Sequence, residues 1–156
     1  MGLSYEDLEV GKSYALGSHK FERDEVVRFA EEFDPQPFHL SEEGGEASMF
    51  GGLVASGWHT CSVMMGLLVR SFLKDSTSMG SPGIDGIRWL KPTRVGDTLT
   101  MTNVILGKRI SASKSDRGIV EMQSEGRNQH GELVVTLRSM MLFGLRSPDG
   151  VLDTPS

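Results

Sequence analysis

The chain has 156 residues, of which 38% are hydrophobic and 24% charged, and its net charge at pH 7 is −5. This length and composition predict a single globular domain spanning residues 1–156, with a core over about 8–146 and a mobile C-terminal tail. The negative charge argues against nucleic acid as a partner. One cysteine, Cys61, excludes an internal disulfide and fits a cytoplasmic protein.

Residues 47–69 contain no Asp, Glu, Lys or Arg, so a membrane span has to be considered. Glycines, serines, Trp58 and His59 dilute the apolar character of this stretch, and no basic flank precedes it. No secretory leader pattern opens residues 1–10. We therefore expect no membrane association, and a helix buried in the core of the domain.

The first third of the chain predicts an irregular strand and two helices. The strand is expected over residues 13–21, and a helix over 22–33, where Val26, Phe29, Ala30 and Phe33 recur at helical spacing. Pro35 should end this helix at about Asp34. A short helix is predicted over 41–48.

The rest of the chain predicts one long helix followed by strands. The helix is expected over 53–73, apolar nearly all round, and the strands over 84–90, 98–106, 119–128 and 132–144. This order indicates the α+β class, as a single antiparallel sheet wrapped around a long central helix.

A carboxylate and an imidazole lie five residues apart in the segment 33–39, which two prolines stiffen. If Asp34 and His39 face one pocket, they can share a water molecule and act as an acid/base pair. The spacing is equally consistent with a capping Asp34 and a structural His39. No pair of potential metal ligands has a helical ligand spacing, so we expect no metal.

A glycine pair opens the uncharged stretch. If the helix starts at Gly51-Gly52, its free N–H groups and positive dipole end can stabilise an oxyanion, although a plain turn explains the pair as well. Ser56 can bond a substrate or its own helix carbonyl. His59 and Cys61 are expected to be core residues.

Together these segments resemble the MaoC-like acyl dehydratases, or (R)-specific enoyl-CoA hydratases. The family pattern is Asp-x-Asn-Pro-x-His, followed by His-Gly-x-x-x-Ala-Ser at the head of the central helix; residues 33–39 and 50–57 are similar to it. Residues 86–99 also resemble the family's strand, proline turn and Val-Gly-Asp-Thr stretch. The resemblance implies a hot-dog fold and a homodimer or higher homo-oligomer.

The resemblance also implies site roles. Asp34 and His39 would activate water for syn addition to a 2-enoyl thioester, without a cofactor, and the Gly52 amide would bind the thioester carbonyl. Ser56 would line the site, and Phe38 and Trp58 are expected near the acyl pocket. Two residues depart from the pattern: Gln36 replaces its asparagine and Gly51 the histidine before the glycine.

The leading hypothesis is a lyase, acting on an acyl-CoA or acyl-carrier thioester. A hot-dog thioesterase is the first alternative, although many of these enzymes use a central-helix carboxylate that residues 47–69 lack. A non-catalytic acyl-thioester-binding protein is the second. Arg88, Lys91 and Arg94 are candidates for the CoA phosphates, or plain surface charges. Acyl length, and CoA versus carrier protein, stay open.

Overall fold

The computed structural model describes residues 2–146. Within them lie five strands, four α-helices, one 3-10 turn at Tyr5–Asp7 and one π-helical turn at Val69–Leu73. Residues 147–156, which form nearly all of the predicted tail, lie outside the described part of the chain.

The five strands form one antiparallel sheet in the order β1-β3-β4-β5-β2. Their bounds are Ser13–Lys20 for β1, Gly83–Trp89 for β2, Thr98–Ile110 for β3, Arg117–Arg127 for β4 and Leu133–Gly144 for β5. A bulge between Ala15 and Gly17 explains the irregular pattern of β1, because Gly17 has a φ of 110° that favours glycine. These bounds confirm all five predicted strands, and β3 is longer than expected.

The helices all lie between β1 and β2 in the chain. They are α1 at Arg23–Phe33, α2 at Pro37–Leu40, α3 at Glu42–Glu46 and α4 at Gly57–Leu68. The first predicted helix is confirmed and ends before Asp34, as Pro35 requires. The one-turn α2 was not predicted; Pro37 is its first residue, a position where a missing N–H costs nothing.

The core forms where α4 lies against the sheet. Met64 and Leu68 of α4 belong to one buried cluster with alternate residues of β3, β4 and β5. These sheet residues are Leu99, Met101, Ile105, Val120, Met122, Val135, Met141 and Phe143. A single antiparallel sheet around one central helix is the hot-dog fold, as expected.

The start of the central helix differs from the prediction. Helix α4 begins at Gly57, with Ser56 as its N-cap, and not at Leu53. Residues 53–55 are instead extended, because Val54 N–H donates to Phe38 O at 3.1 Å and Ala55 N–H donates to Thr93 O at 2.8 Å. Tertiary pairing of the backbone therefore overrides the helical pattern of these three residues.

One face of α4 is also more exposed than an all-round apolar helix would be. Trp58, Met65 and Val69 are 57%, 47% and 37% exposed, and they fall along one side of the helix. Among residues 2–146, no helix is long and apolar enough to cross a membrane.

Candidate active site

Asp34 and His39 are brought together by the turn that follows α1. Asp34 caps the helix, with its N–H on Ala30 O at 2.9 Å, and Gln36 N–H then donates back to Asp34 O at 2.8 Å. The single turn of α2 carries His39 round to the same side. The two side chains meet with His39 Nε2 at 3.3 Å from Asp34 Oδ2.

The backbone of the extended segment defines the tautomer of His39. Its Nδ1 lies 2.7 Å from the carbonyl oxygen of Val54, which can only accept a hydrogen bond, so Nδ1 carries a proton. In neutral His39, Nε2 is then the basic nitrogen, and it faces the carboxylate. The imidazole is 7% exposed, so its orientation is held by packing as well as by this bond.

The Asp34 carboxylate is held at both oxygens. Ser56 Oγ donates to Oδ2 and Gln36 Nε2 donates to Oδ1, each at 2.7 Å. Burial raises the pKa of Asp34, but the bonds from Ser56 and Gln36 and the nearby His39 outweigh it, and the net pKa lies below the usual value. Asp34 is therefore an anion at neutral pH.

Ser56 links this carboxylate to the central helix. Its side chain is fully buried, and the same Oγ that donates to Asp34 accepts the N–H of Trp58 at 3.2 Å. As N-cap of α4 it fixes the helix start relative to the Asp34–His39 pair. The alternative of a bond to its own helix carbonyl does not occur here.

The pair lies in a cavity of about 440 Å³. Among the expected site residues, Asp34, Gln36, Phe38, His39 and Trp58 line it. The remaining lining residues are Met49, Phe50, Val54, Ala55, Gly57, Thr60, Trp89, Leu90, Lys91, Pro92 and Thr93. A cleft with mainly apolar walls and a few convergent polar groups is the usual form of a small-molecule site.

Gly51 and Gly52 do not lie at the helix start. Gly51 is a turn residue with a φ of 66°, and neither glycine lines the cavity. The helix-start glycine is Gly57, which does line the cavity and whose N–H precedes the first helical hydrogen bond. The glycine at the start of the central helix is therefore five residues later in the chain than the sequence analysis expected.

The basic residues considered for CoA divide between two surfaces. Lys91 lines the cavity and pairs with Glu132, and Arg94 lies over Gly52, with Nη1 at 3.4 Å from where a Cβ would stand. Arg88 lies in a different shallow cleft on the sheet, with Arg138 and Glu121. Of these three residues, Lys91 is the one that lines the cavity.

His59 lies away from the cavity, as a core residue. Its ring stacks on Phe29 with centroids 4.8 Å apart, and its Nε2 is 3.7 Å from Glu25 Oε2. Glu25 also bonds His19 at 2.9 Å. The pKa of His59 is lowered, and burial is the largest cause. The thiol of Cys61 is half-buried, and burial raises its pKa, which suits an unreactive residue.

Sequence reasoning named Lys91 but missed the other residues that segment 89–93 contributes to the cavity. Trp89 and Thr93 reach it because Ala55 pairs with Thr93 and Val54 forms a bridge with Arg94. The signal in the sequence that could have identified this segment was the resemblance of residues 86–99 to the MaoC-like family. Within residues 2–146, no three His, Cys, Asp or Glu side chains are arranged to hold a metal ion.

Comparison with known proteins agrees with this fold. The model of the MaoC-like domain matches residues 7–128. The chain therefore has a hot-dog domain of the hydratase and dehydratase class, and it belongs to the MaoC-like dehydratase family.

Individual relatives extend the comparison over nearly the whole chain. The structure of a MaoC-like dehydratase from Rhodospirillum rubrum is 42% identical, covers 94% of this chain and 99% of its own, and has a TM-score of 0.87. An (R)-hydratase from A. caviae involved in PHA biosynthesis is 27% identical, with a TM-score of 0.66. The match covers 86% of this chain and 96% of that hydratase. The protein YdeM of Bacillus subtilis is 25% identical over 142 residues, 87% of this chain and 99% of its own.

Proposed function

We propose that the protein hydrates 2-enoyl thioesters, with CoA as the carrier, and dehydrates 3-hydroxyacyl thioesters in reverse. The observation that carries the proposal is the Asp34–His39 pair, with its basic Nε2 and anionic carboxylate 3.3 Å apart in an apolar cleft. Membership of a family of hydratases and dehydratases supports the reaction class.

His39 is the proposed proton carrier. Its Nε2 takes a proton from water as the water oxygen bonds to C3 of the substrate, and returns a proton to C2 as the C2–C3 double bond is lost. One nitrogen that serves both steps delivers both groups to the same face, which gives syn addition. The Nδ1–H bond to Val54 O keeps Nε2 available for both transfers.

Asp34 is the proposed orienting and electrostatic group. As an anion it can accept the second O–H of the water and stabilise the imidazolium that forms on His39. Its lowered pKa makes it a poor proton donor, so we assign the proton transfers to His39. Gln36 and Ser56 hold the carboxylate in place.

We assign the oxyanion role to Gly57 in place of Gly52. Gly57 lines the cavity and its N–H is at the positive end of α4, so this N–H can stabilise the charge that a thioester oxygen gains as the enolate forms. These steps need neither a metal nor an organic cofactor.

Substituting the pair tests the proposal. Asp34→Asn and His39→Gln should each lower the hydration rate of crotonyl-CoA by at least ~100-fold, since each removes an acid/base or charge-stabilising group. The measurement is the loss of enoyl-thioester absorbance. Asp85→Asn, on the exposed β2, and His130→Gln, in a turn, are matched controls that should keep the parental rate.

Three results would contradict the proposal. Parental turnover in either variant, with its fold intact by circular dichroism, would remove the pair from the mechanism. Release of free CoA thiol from acyl-CoA would indicate a thioesterase, and binding without either reaction a non-catalytic acyl-thioester-binding protein.

We also propose that the protein acts as a homodimer. The exposed stripe of Trp58, Met65 and Val69 runs along α4 to its C-cap, and its first residue, Trp58, meets Trp89 of β2 edge-on at 5.4 Å. Strand β2 is an edge strand that exposes Ile84 and Trp89. Apolar side chains and an unpaired strand edge in one place are a surface that a second copy can cover.

A further inference from the structure

The peptide group that follows Gly57 is held at both ends. Its carbonyl oxygen, Gly57 O, accepts the indole N–H of Trp89 at 3.0 Å. Its N–H, which belongs to Trp58, donates to Ser56 Oγ at 3.2 Å. The same Oγ donates to the Asp34 carboxylate, so the first turn of α4 is tied to the proposed catalytic pair as well as to the indole.

The glycine at this position needs such a constraint from outside. Gly57 has no side chain, and glycine has more backbone conformations available than any other residue. As the first residue of α4, its N–H has no partner within the helix. The direction of this N–H therefore depends on the groups that contact the neighbouring peptide units.

The indole also explains why residue 57 is a glycine. A Cβ on this residue would lie 2.5 Å from Cε2 of Trp89 and 2.6 Å from its Nε1. Every other residue type has a Cβ, so only glycine admits the indole in this place. Gly57 and Trp89 thus form one unit, in which the ring covers the position of the missing side chain.

The sheet fixes the position of the indole. Trp89 is the last residue of β2 and pairs with Val135 of β5, and Leu90 N–H donates to Val134 O at 2.7 Å. The ring also meets Trp58 edge-on, with centroids 5.4 Å apart. The indole therefore links a hydrogen-bonded strand to the start of α4.

We propose that Trp89 is a positioning residue, which holds the Gly57 N–H where the oxygen of the reacting thioester gains charge. The inference rests on the proposed function and adds to it a residue that acts through Gly57, outside the Asp34–His39 pair. The charge on the oxygen is greatest in the transition state, so the placement of this N–H should affect kcat far more than KM.

Two variants separate the hydrogen bond of Trp89 from its ring. Trp89→Phe keeps an aromatic ring and removes the N–H, whereas Trp89→Ala removes both. We expect kcat for hydration of crotonyl-CoA to fall roughly tenfold in Trp89→Phe and roughly 100-fold in Trp89→Ala, with KM nearly unchanged, because a misplaced donor loses much of its effect. Ile84→Ala, an apolar truncation at another exposed position of β2, should keep the parental kcat.

Substituting the glycine tests the same contact from the other side. Gly57→Ala alone should lower kcat, because the new Cβ and the indole cannot both keep their places. In the double variant Gly57→Ala/Trp89→Ala this space is free, so kcat should be no lower than in Trp89→Ala. Losses that simply add in the double variant would show two independent effects and overturn the inference.

A binding arm separates this inference from the proposed reaction. Raman spectra of bound butyryl-CoA, which has no double bond to hydrate, report the polarisation of the thioester carbonyl. Its stretch should lie at lower frequency in the parental protein than in water and return towards the water value in Trp89→Phe, whereas Asp34→Asn should keep the shift.

The two arms fail in different ways. Parental kcat in both Trp89 variants, or a carbonyl stretch that does not respond to them, would overturn the positioning role and leave hydration intact. Absence of turnover in the parental protein, together with a carbonyl shift that depends on Trp89, would overturn the proposed reaction and leave the positioning role intact.

Discussion

Each oxygen of the Asp34 carboxylate has its own donor, Gln36 on Oδ1 and Ser56 on Oδ2. Gln36 replaces the asparagine of the family pattern, and in this structure its longer side chain folds back two residues to hold the carboxylate. Gln36 is exposed and Ser56 is fully buried, so we expect Ser56 to make the stronger contribution to the electrostatics of the site.

Removing the Ser56 hydroxyl should shift the acid limb of the pH–rate profile. The bond from Ser56 lowers the pKa of Asp34, so Ser56→Ala should raise it. If the anionic form is the active one, activity disappears as pH falls through that pKa, and the limb moves to higher pH in the variant.

The measurement is kcat/KM for crotonyl-CoA against pH. Ser18→Ala, which removes an exposed serine that bonds Thr100 on the sheet, is the matched control and should leave the limb in place. An equal loss of rate at every pH in Ser56→Ala would indicate a role in packing only.

At the scale of elements, one carboxylate joins three parts of the fold. Glu25 of α1 bonds His19 of β1 and lies 3.7 Å from His59 of α4. Asp34 follows directly on α1, the helix that carries Glu25. Within residues 2–146, the buried Nδ1 of His59 has no hydrogen-bond partner. Protonating His59 therefore strains the junction of α1 and α4.

The stability of the fold should consequently fall on the acid side. The pKa of folded His59 is below its ordinary 6.5, mainly through burial, with Glu25 opposing and His19 and Arg28 adding to the shift. As pH falls below about 6.5, the unfolded chain binds this proton first, so the free energy of unfolding drops by at most ~1.4 kcal/mol per pH unit until folded His59 titrates.

Urea unfolding between pH 7.5 and 5.5 measures this effect. His59→Phe keeps an aromatic ring beside Phe29 and should lose this part of the pH dependence, whereas His130→Gln, in an exposed turn, should keep it. Parallel pH curves for the parental protein and His59→Phe would contradict the prediction.

At the scale of the whole molecule, the exposed stripe of α4 meets the edge strand β2 where Trp58 packs against Trp89, and these exposed apolar residues are the surface that we propose for the dimer. The Trp58 and Trp89 side chains belong both to this surface and to the cavity wall. A second copy placed on this surface would lie next to the mouth of the cavity.

A charge placed on this surface should dissociate the proposed dimer. Met65→Glu is expected to shift the mass measured by light scattering from that of two chains to that of one, because a dimer would bury the carboxylate. Ile110→Glu carries the same charge at a comparably exposed apolar position outside the surface, and should stay dimeric. A parental protein of single-chain mass would exclude the dimer.

The sequence by itself determined the α+β class, the five strands and helix α1, and it placed Asp34 and His39 in one short segment without settling whether they pair. Periodicity and the prolines carry this information locally. The same local pattern placed the start of the central helix at residues 51–53, because apolar residues 53–55 suit a helix as well as a strand.

Tertiary structure decided what depends on distant partners. Val54 and Ala55 are extended because Phe38 and Thr93 take their N–H groups, which moves the helix start, and the proposed oxyanion position, from Gly52 to Gly57. Trp89 reaches Gly57 across 32 residues for the same reason. Hydrogen bonds between segments far apart in the chain leave no mark in local periodicity, so only the folded structure shows where the cavity begins and what closes it.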